Sequence, residues 1–155
     1  MSKTLYFAYG SNLHLAQMKD RCPDSEVFMS FILKNFKLVF RTVADIEKNV
    51  GSEVNGVIFK ISQKDEKSLD RYEGVPILYK KEYFEIDIEE KQNKVLYYKM
   101  ISSYNGFGSP SLKYYNVIEK GYEQNSLNKQ SLINAREYSI KNSKPSTFTS
   151  QRWKD

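Results

Sequence analysis

The stretch YFAYGSNL, residues 6–13, sets the reading of this chain. Five mostly apolar residues, 5–9, break abruptly into Gly10-Ser11-Asn12, and a polar helical pattern follows. Such a pattern predicts a strand that delivers a tight turn onto the start of a helix. A helix start leaves backbone N–H groups without partners, which suits a carboxylate or a developing oxyanion. Taken alone, it reads first as an ordinary strand-to-helix turn capped by Ser or Asn. A second segment, LDRYEGV at residues 69–75, supplies what the turn lacks.

Outward from the turn, the first strand covers residues 4–9, and a short helix over 14–21 is stopped by Pro23. Strands are expected at 27–33, 36–41 and 54–61, with Val57, Phe59 and Ile61 of the last on one face and a polar loop at 44–53 between. Ser62 reads as the N-cap of a helix with Asp65 and Glu66 in its first turn. Glu73-Gly74 ends that helix, and Pro76 follows. Residues 83–89 alternate Phe84, Ile86 and Ile88 against Glu85, Asp87 and Glu89, a half-buried strand turned by KQNK (91–94) into a partner at 95–101. Ser109-Pro110 opens a helix that reaches Gly121, and a last helix spans 127–140. Residues 1–142 read as one domain and 143–155 as a Ser/Lys-rich, loosely held tail, with Phe148 and Trp153 able to dock. A meander of strands with few helices between them predicts an α+β fold: a small, mainly antiparallel β-barrel with flanking α-helices.

Composition removes several kinds of chemistry. The chain has 155 residues and a formal charge of +5. That length buries a real core without disulfides or metal. The lysines are scattered and interleaved with acids, as in KDEK (64–67), so the charge reads as a solvated face and not a nucleic-acid surface, despite twelve tyrosines. No membrane span or apolar leader is seen, and the single cysteine, Cys22, suits a reducing compartment; a soluble cytoplasmic protein is expected. His14 is the only histidine. A Ser-His-Asp or Cys-His arrangement would have to be built around it, and neither it nor Cys22 has the local context of such a site. Proton transfer then falls to carboxylates, tyrosines or lysines, and no metal site is expected. Glu73 is a candidate: at the last turn of a helix the backbone dipole disfavours its charge, and burial would push its pKa further up.

Four segments occur in order: YFAYGSNL, VNGVIFKI (54–61), LDRYEGV and PSLKYYNVIEKG (110–121). Together they resemble the gamma-glutamylcyclotransferase family, including its AIG2-like relatives, over most of residues 4–127. The resemblance implies a small β-barrel with flanking helices and a cofactor-free enzyme. In its reaction the free α-amine of a γ-glutamyl group attacks its own side-chain amide, releasing 5-oxoproline and an amine from a small-molecule substrate. It also implies that Glu73 is the catalytic acid–base. The segment Tyr6, Phe7, Ala8, Tyr9, Gly10 and Ser11 matches the substrate-binding loop, and Tyr114 the tyrosine that contacts substrate, with adjacent Tyr115 as the alternative. The leaving amine would be selected by loops at 45–53 and 102–109, where Tyr104 and Phe107 could border the site. Tyr122 and Asn125-Ser126-Leu127 depart from the family pattern, after the catalytic region. A non-catalytic ligand-binding module on the same fold is the alternative function, and retention of Glu73 counts against it.

Overall fold

The computed structural model describes residues 3–144 and 148–155. Strand β1 (Thr4–Ala8) runs into a 3-10 turn (Ser11–Leu13) and helix α1 (Leu15–Arg21). Then come strands β2 (Glu26–Arg41) and β3 (Val43–Ile61), helix α2 (Gln63–Tyr72), strands β4 (Tyr79–Ile88) and β5 (Lys91–Met100), and helices α3 (Leu112–Gln124) and α4 (Gln130–Lys141). The five strands form one sheet in the order β2-β3-β1-β5-β4. All neighbours pair antiparallel except β1 with β5, which is parallel.

The expected α+β class holds, whereas the barrel is closed by side chains and not by backbone. The edge strands β2 and β4 do not pair. The sheet curls enough for Phe31 of β2 to stack on Phe84 of β4, with ring centroids 5.5 Å apart, and Phe7 of β1 meets both edge-on. Aromatic contact of this kind lets a twisted sheet bury its inner face without the strand tilt and register that full closure demands.

The two strands expected at 27–33 and 36–41 are one, bulged at Asn35 with φ 64°, and residues 44–53 are not a loop but the distal half of β3. Lys48 still pairs with Phe36, whereas residues 49–52 stand outside the ladder, which resumes with Glu53 beside Lys34; Lys48 to Val50 are exposed. Ala44 to Ile46 are buried, but the polar and charged side chains that run from Asp45 to Glu53 give no period-2 alternation, so the pattern imitates a loop. Thr42, at φ 65°, makes the turn. The β4–β5 turn is at Glu89-Glu90, both with positive φ, and not in KQNK, because Ile88 pairs with Lys91. Ser111 caps α3, its hydroxyl accepting the Tyr114 N–H at 3.1 Å, so Ser109-Pro110 precedes the helix without capping it.

Helix α2 begins and ends as its residues dictate. Ser62 and Asp65 form a reciprocal capping box, and Gly74 stops the helix at φ 66°. Helix α3 lies on the 3-10 turn at Gly121, where an added Cβ would stand 2.6 Å from the Leu13 carbonyl carbon. The end of the chain is also held. Asp155 accepts the N–H groups of Leu112 and Lys113 at 3.0 and 2.9 Å, and Trp153 is buried. Of the tail expected at 143–155, residues 145–147 lie outside the described residues.

Candidate active site

A pocket of about 370 Å³ opens where the turn after β1, the end of α2, the start of α3 and the C-terminal segment meet. Of the residues singled out in the sequence, Tyr6, Tyr9, Gly10, Ser11, Glu73 and Tyr114 line it. Phe7 and Ala8 do not. Phe7 is fully buried in the aromatic cluster that closes the sheet, and Ala8 is fully buried in β1. Tyr115 is turned the other way, under the Arg136 guanidinium at 4.8 Å, so Tyr114 is the tyrosine of the pair that faces the cavity.

The turn presents donors. Leu13 and His14 bond back to the carbonyls of Gly10 and Ser11, whereas the N–H groups of Gly10, Ser11 and Asn12 have no acceptor among the described residues. That is the expected condition of a helical first turn. Gly10 keeps the approach open: an added Cβ would stand 3.3 Å from Ala44 Cβ and 3.6 Å from the Tyr114 hydroxyl. The phenols around the turn are held by their partners. Tyr9 donates to the Tyr98 carbonyl at 2.6 Å, Asn12 donates to the Tyr6 hydroxyl at 3.0 Å, and Ser11 Oγ shares a hydrogen bond with the Tyr72 hydroxyl at 3.1 Å. Burial lifts Tyr6 and Tyr9 well above the ordinary phenol range, so both stay protonated.

Glu73 is the C-cap residue of α2. Among the described residues its carboxylate makes no hydrogen bond and no ion pair. Burial pushes its pKa up to about 7, against the pull of the Arg21 and Arg152 guanidiniums, Arg21 the stronger. A carboxyl group poised there exchanges protons readily in both directions at neutral pH. Both guanidiniums stack on Tyr72, at 3.6 Å for Arg21 and 4.1 Å for Arg152.

Local sequence did not reveal Arg21, Tyr72, Tyr79, Tyr98, Arg152 or Trp153 as part of this neighbourhood. Tyr72 adjoins Glu73, and the rest carry no local signal because the fold brings them from distant segments. Tyr104 and Phe107 do not border the cavity; Tyr104 packs on Phe148 and Phe107 on Tyr138. Residues 148–153 form the wall that the loops at 45–53 and 102–109 were expected to supply. His14 caps α1, Nδ1 accepting the Gln17 N–H at 3.3 Å, and Cys22 is buried, its thiol pushed up to about 12. Among the described residues no group of three His, Cys, Asp or Glu could hold a metal ion, and no helix is long and apolar enough to cross a membrane.

Residues 6–124 match the family described as gamma-glutamyl cyclotransferase, AIG2-like. The chain is 30% identical over 138 residues to the gamma-glutamylcyclotransferase of Homo sapiens, in an alignment that takes in 79% of this chain and 72% of that protein. It is similar to a solved gamma-glutamyl cyclotransferase with a TM-score of 0.69 at 28% identity, covering 96% of this chain and 92% of that one. YkqA from Bacillus subtilis shares the fold, with a TM-score of 0.73 at 20% identity over 93% of this chain and 56% of that one.

Proposed function

This chain belongs to the gamma-glutamyl cyclotransferase, AIG2-like family, and from that premise we propose that it is a cyclotransferase releasing 5-oxoproline from a small γ-glutamyl amide. The observation that carries the reading is Glu73, with a pKa near 7, in one pocket with the donor-rich turn Gly10-Ser11-Asn12.

In this reading the N–H groups of the turn and the Tyr114 hydroxyl hold the α-carboxylate or the oxyanion. Folding the γ-glutamyl group so that its amine reaches its own amide carbon supplies proximity, worth up to about 7–11 kcal/mol in favourable intramolecular cases. Glu73 takes one proton from the substrate ammonium, and the freed lone pair forms the ring C–N bond. The carbonyl oxygen carries the negative charge until it re-forms C=O. Glu73 returns its proton to the leaving nitrogen as that C–N bond breaks. The ring nitrogen passes its second proton to the departing amine, so 5-oxoproline and an ammonium leave and no water is consumed. The leaving nitrogen therefore never has to depart as an unprotonated anion, the costly step in uncatalysed amide cleavage. No cofactor takes part in this scheme.

Incubation with γ-glutamyl-alanine, followed by assay of 5-oxoproline, tests it directly. Product formation is expected. Thermal protection by γ-glutamyl amides with no product from any of them would overturn the reading in favour of a ligand-binding module.

A further inference from the structure

The pocket carries more positive charge than the γ-glutamyl half of a substrate uses. Its charged lining residues are Glu73, Arg71 and Arg152. Arg152 donates to the Tyr72 carbonyl at 3.0 Å and stacks on that ring, and Arg71 donates to Ser68 Oγ at 3.3 Å. Both arginines are exposed, and neither forms a salt bridge among the described residues, Arg152 acting on Glu73 only through its charge. Arg41, by contrast, is paired with both Asp45 and Glu47. Glu73 is at most one compensating charge, and it is neutral for part of the catalytic cycle.

Arg152 is not on a free end. Thr42 Oγ1 donates to the Phe148 carbonyl at 2.5 Å, Trp153 packs on Tyr114 with centroids 4.9 Å apart, and Asp155 caps α3. The segment so anchored lies beyond residues 6–124, the part the family match covers. Arg71 and Tyr72, whose carbonyl seats Arg152, directly precede Glu73. If the α-carboxylate takes the turn and the leaving nitrogen must meet Glu73, the departing half emerges at the end of α2, on the side of the pocket that Arg71 and Arg152 line.

We propose that Arg152 and Arg71 form a carboxylate subsite for the departing half of the substrate. This chain then prefers γ-glutamyl amino acids or peptides, whose departing amine carries a carboxylate, over γ-glutamyl derivatives of simple amines. The planar guanidinium fork matches a carboxylate in two parallel hydrogen bonds, which an uncharged alkyl group cannot make. The assignment rests on the cyclotransferase reading for which end of the substrate lies where.

The test compares γ-glutamyl-alanine with γ-glutamyl-ethylamide, which lacks only the carboxylate. In the wild type the alanine compound should be favoured about tenfold in kcat/KM, mostly through KM, as expected for a charge-assisted hydrogen bond. Arg152→Gln should bring the ratio below about threefold, and Arg152→Lys should leave it intermediate. A ratio near one in the wild type, or an unchanged ratio in both Arg152→Gln and Arg71→Gln, overturns the subsite. Calorimetry of both compounds on Glu73→Gln protein separates the two claims. If neither compound yields 5-oxoproline, the cyclotransferase reading falls, and the subsite is judged on that Kd ratio alone. A ratio of about tenfold then upholds it and a ratio near one overturns it.

Discussion

The Tyr114 hydroxyl accepts the Ala44 N–H at 2.9 Å, so the phenol that faces the pocket is positioned by the backbone of β3. Tyr79 grips the other side of the same residue, donating to the Ala44 carbonyl at 2.5 Å. With one lone pair engaged, the Tyr114 hydroxyl proton is left for a ligand oxygen. The strand beneath is fixed by Asp45, which is fully buried and accepts from Arg41 Nε at 2.9 Å, Lys99 Nζ at 3.0 Å and the Met100 N–H at 3.0 Å.

Asp45→Ala should therefore destabilise the fold severely. It leaves the buried Arg41 guanidinium without its closest acid, and breaking a buried pair from one side costs about 3–5 kcal/mol. Urea unfolding of the variant measures this, and a loss below about 1 kcal/mol would contradict the role assigned to Asp45.

Glu73→Gln should lower kcat by about 10²- to 10⁴-fold with little change in KM, since it removes proton transfer and keeps the shape. In the wild type, kcat/KM should climb as pH rises through about 7, where Glu73 becomes the base. Arg21 holds that pKa down, so Arg21→Gln should move the limb to higher pH. A limb that stays in place would mean that another group titrates.

The same carboxyl group should make stability depend on pH, with a definite sign. Its folded-state pKa lies above the ordinary value of 4.5, so the folded protein binds the proton more tightly than the unfolded chain does. Stability therefore declines as pH rises from about 4.5 to 7, and above that window a charged, half-buried Glu73 is a standing cost. Glu73→Gln is expected to be the more stable protein at pH 8, by about 1–3 kcal/mol after allowance for its partial exposure. Melting curves across pH 4 to 8 should show that advantage vanish towards the acid end. An advantage that persists unchanged at pH 4 would exclude titration of Glu73 as its source.

Gly121→Ala should separate α3 from the turn that forms the pocket floor. The new Cβ would lie 2.6 Å from the Leu13 carbonyl carbon and 2.7 Å from the His14 nitrogen, both backbone atoms with no freedom to rotate aside. Overpacking of this kind costs about 1–3 kcal/mol. Calorimetric melting should show the loss, and KM should rise as the turn shifts. A variant as stable as the wild type would mean that the helix can retreat freely.

Much of this protein was decided within short stretches of its sequence. Break of pattern at Gly10 determined a strand and a turn; Ser62 with Asp65 determined where α2 starts, and Gly74 where it stops. Alternation over residues 83–89 determined a strand with one buried face. Each of these is a contest among neighbouring residues for backbone hydrogen bonds or for one face of an element, so local residue types settle it. Tertiary structure alone decided the rest. Val43 to Lys48 are strand because β2 lies beside them, pairing Arg41 to Phe36 with them, and not because their residues say so. Tyr114 and not Tyr115 faces the cavity because α3 is seated on Leu13 at Gly121. Arg152 and Trp153 belong to the pocket because Asp155 ties the chain end to α3. A pKa near 7 at Glu73 comes from desolvation, which sums over every atom packed nearby, whatever its place along the chain. Burial and pairing between distant segments are properties of the assembled molecule, and no window of sequence contains them.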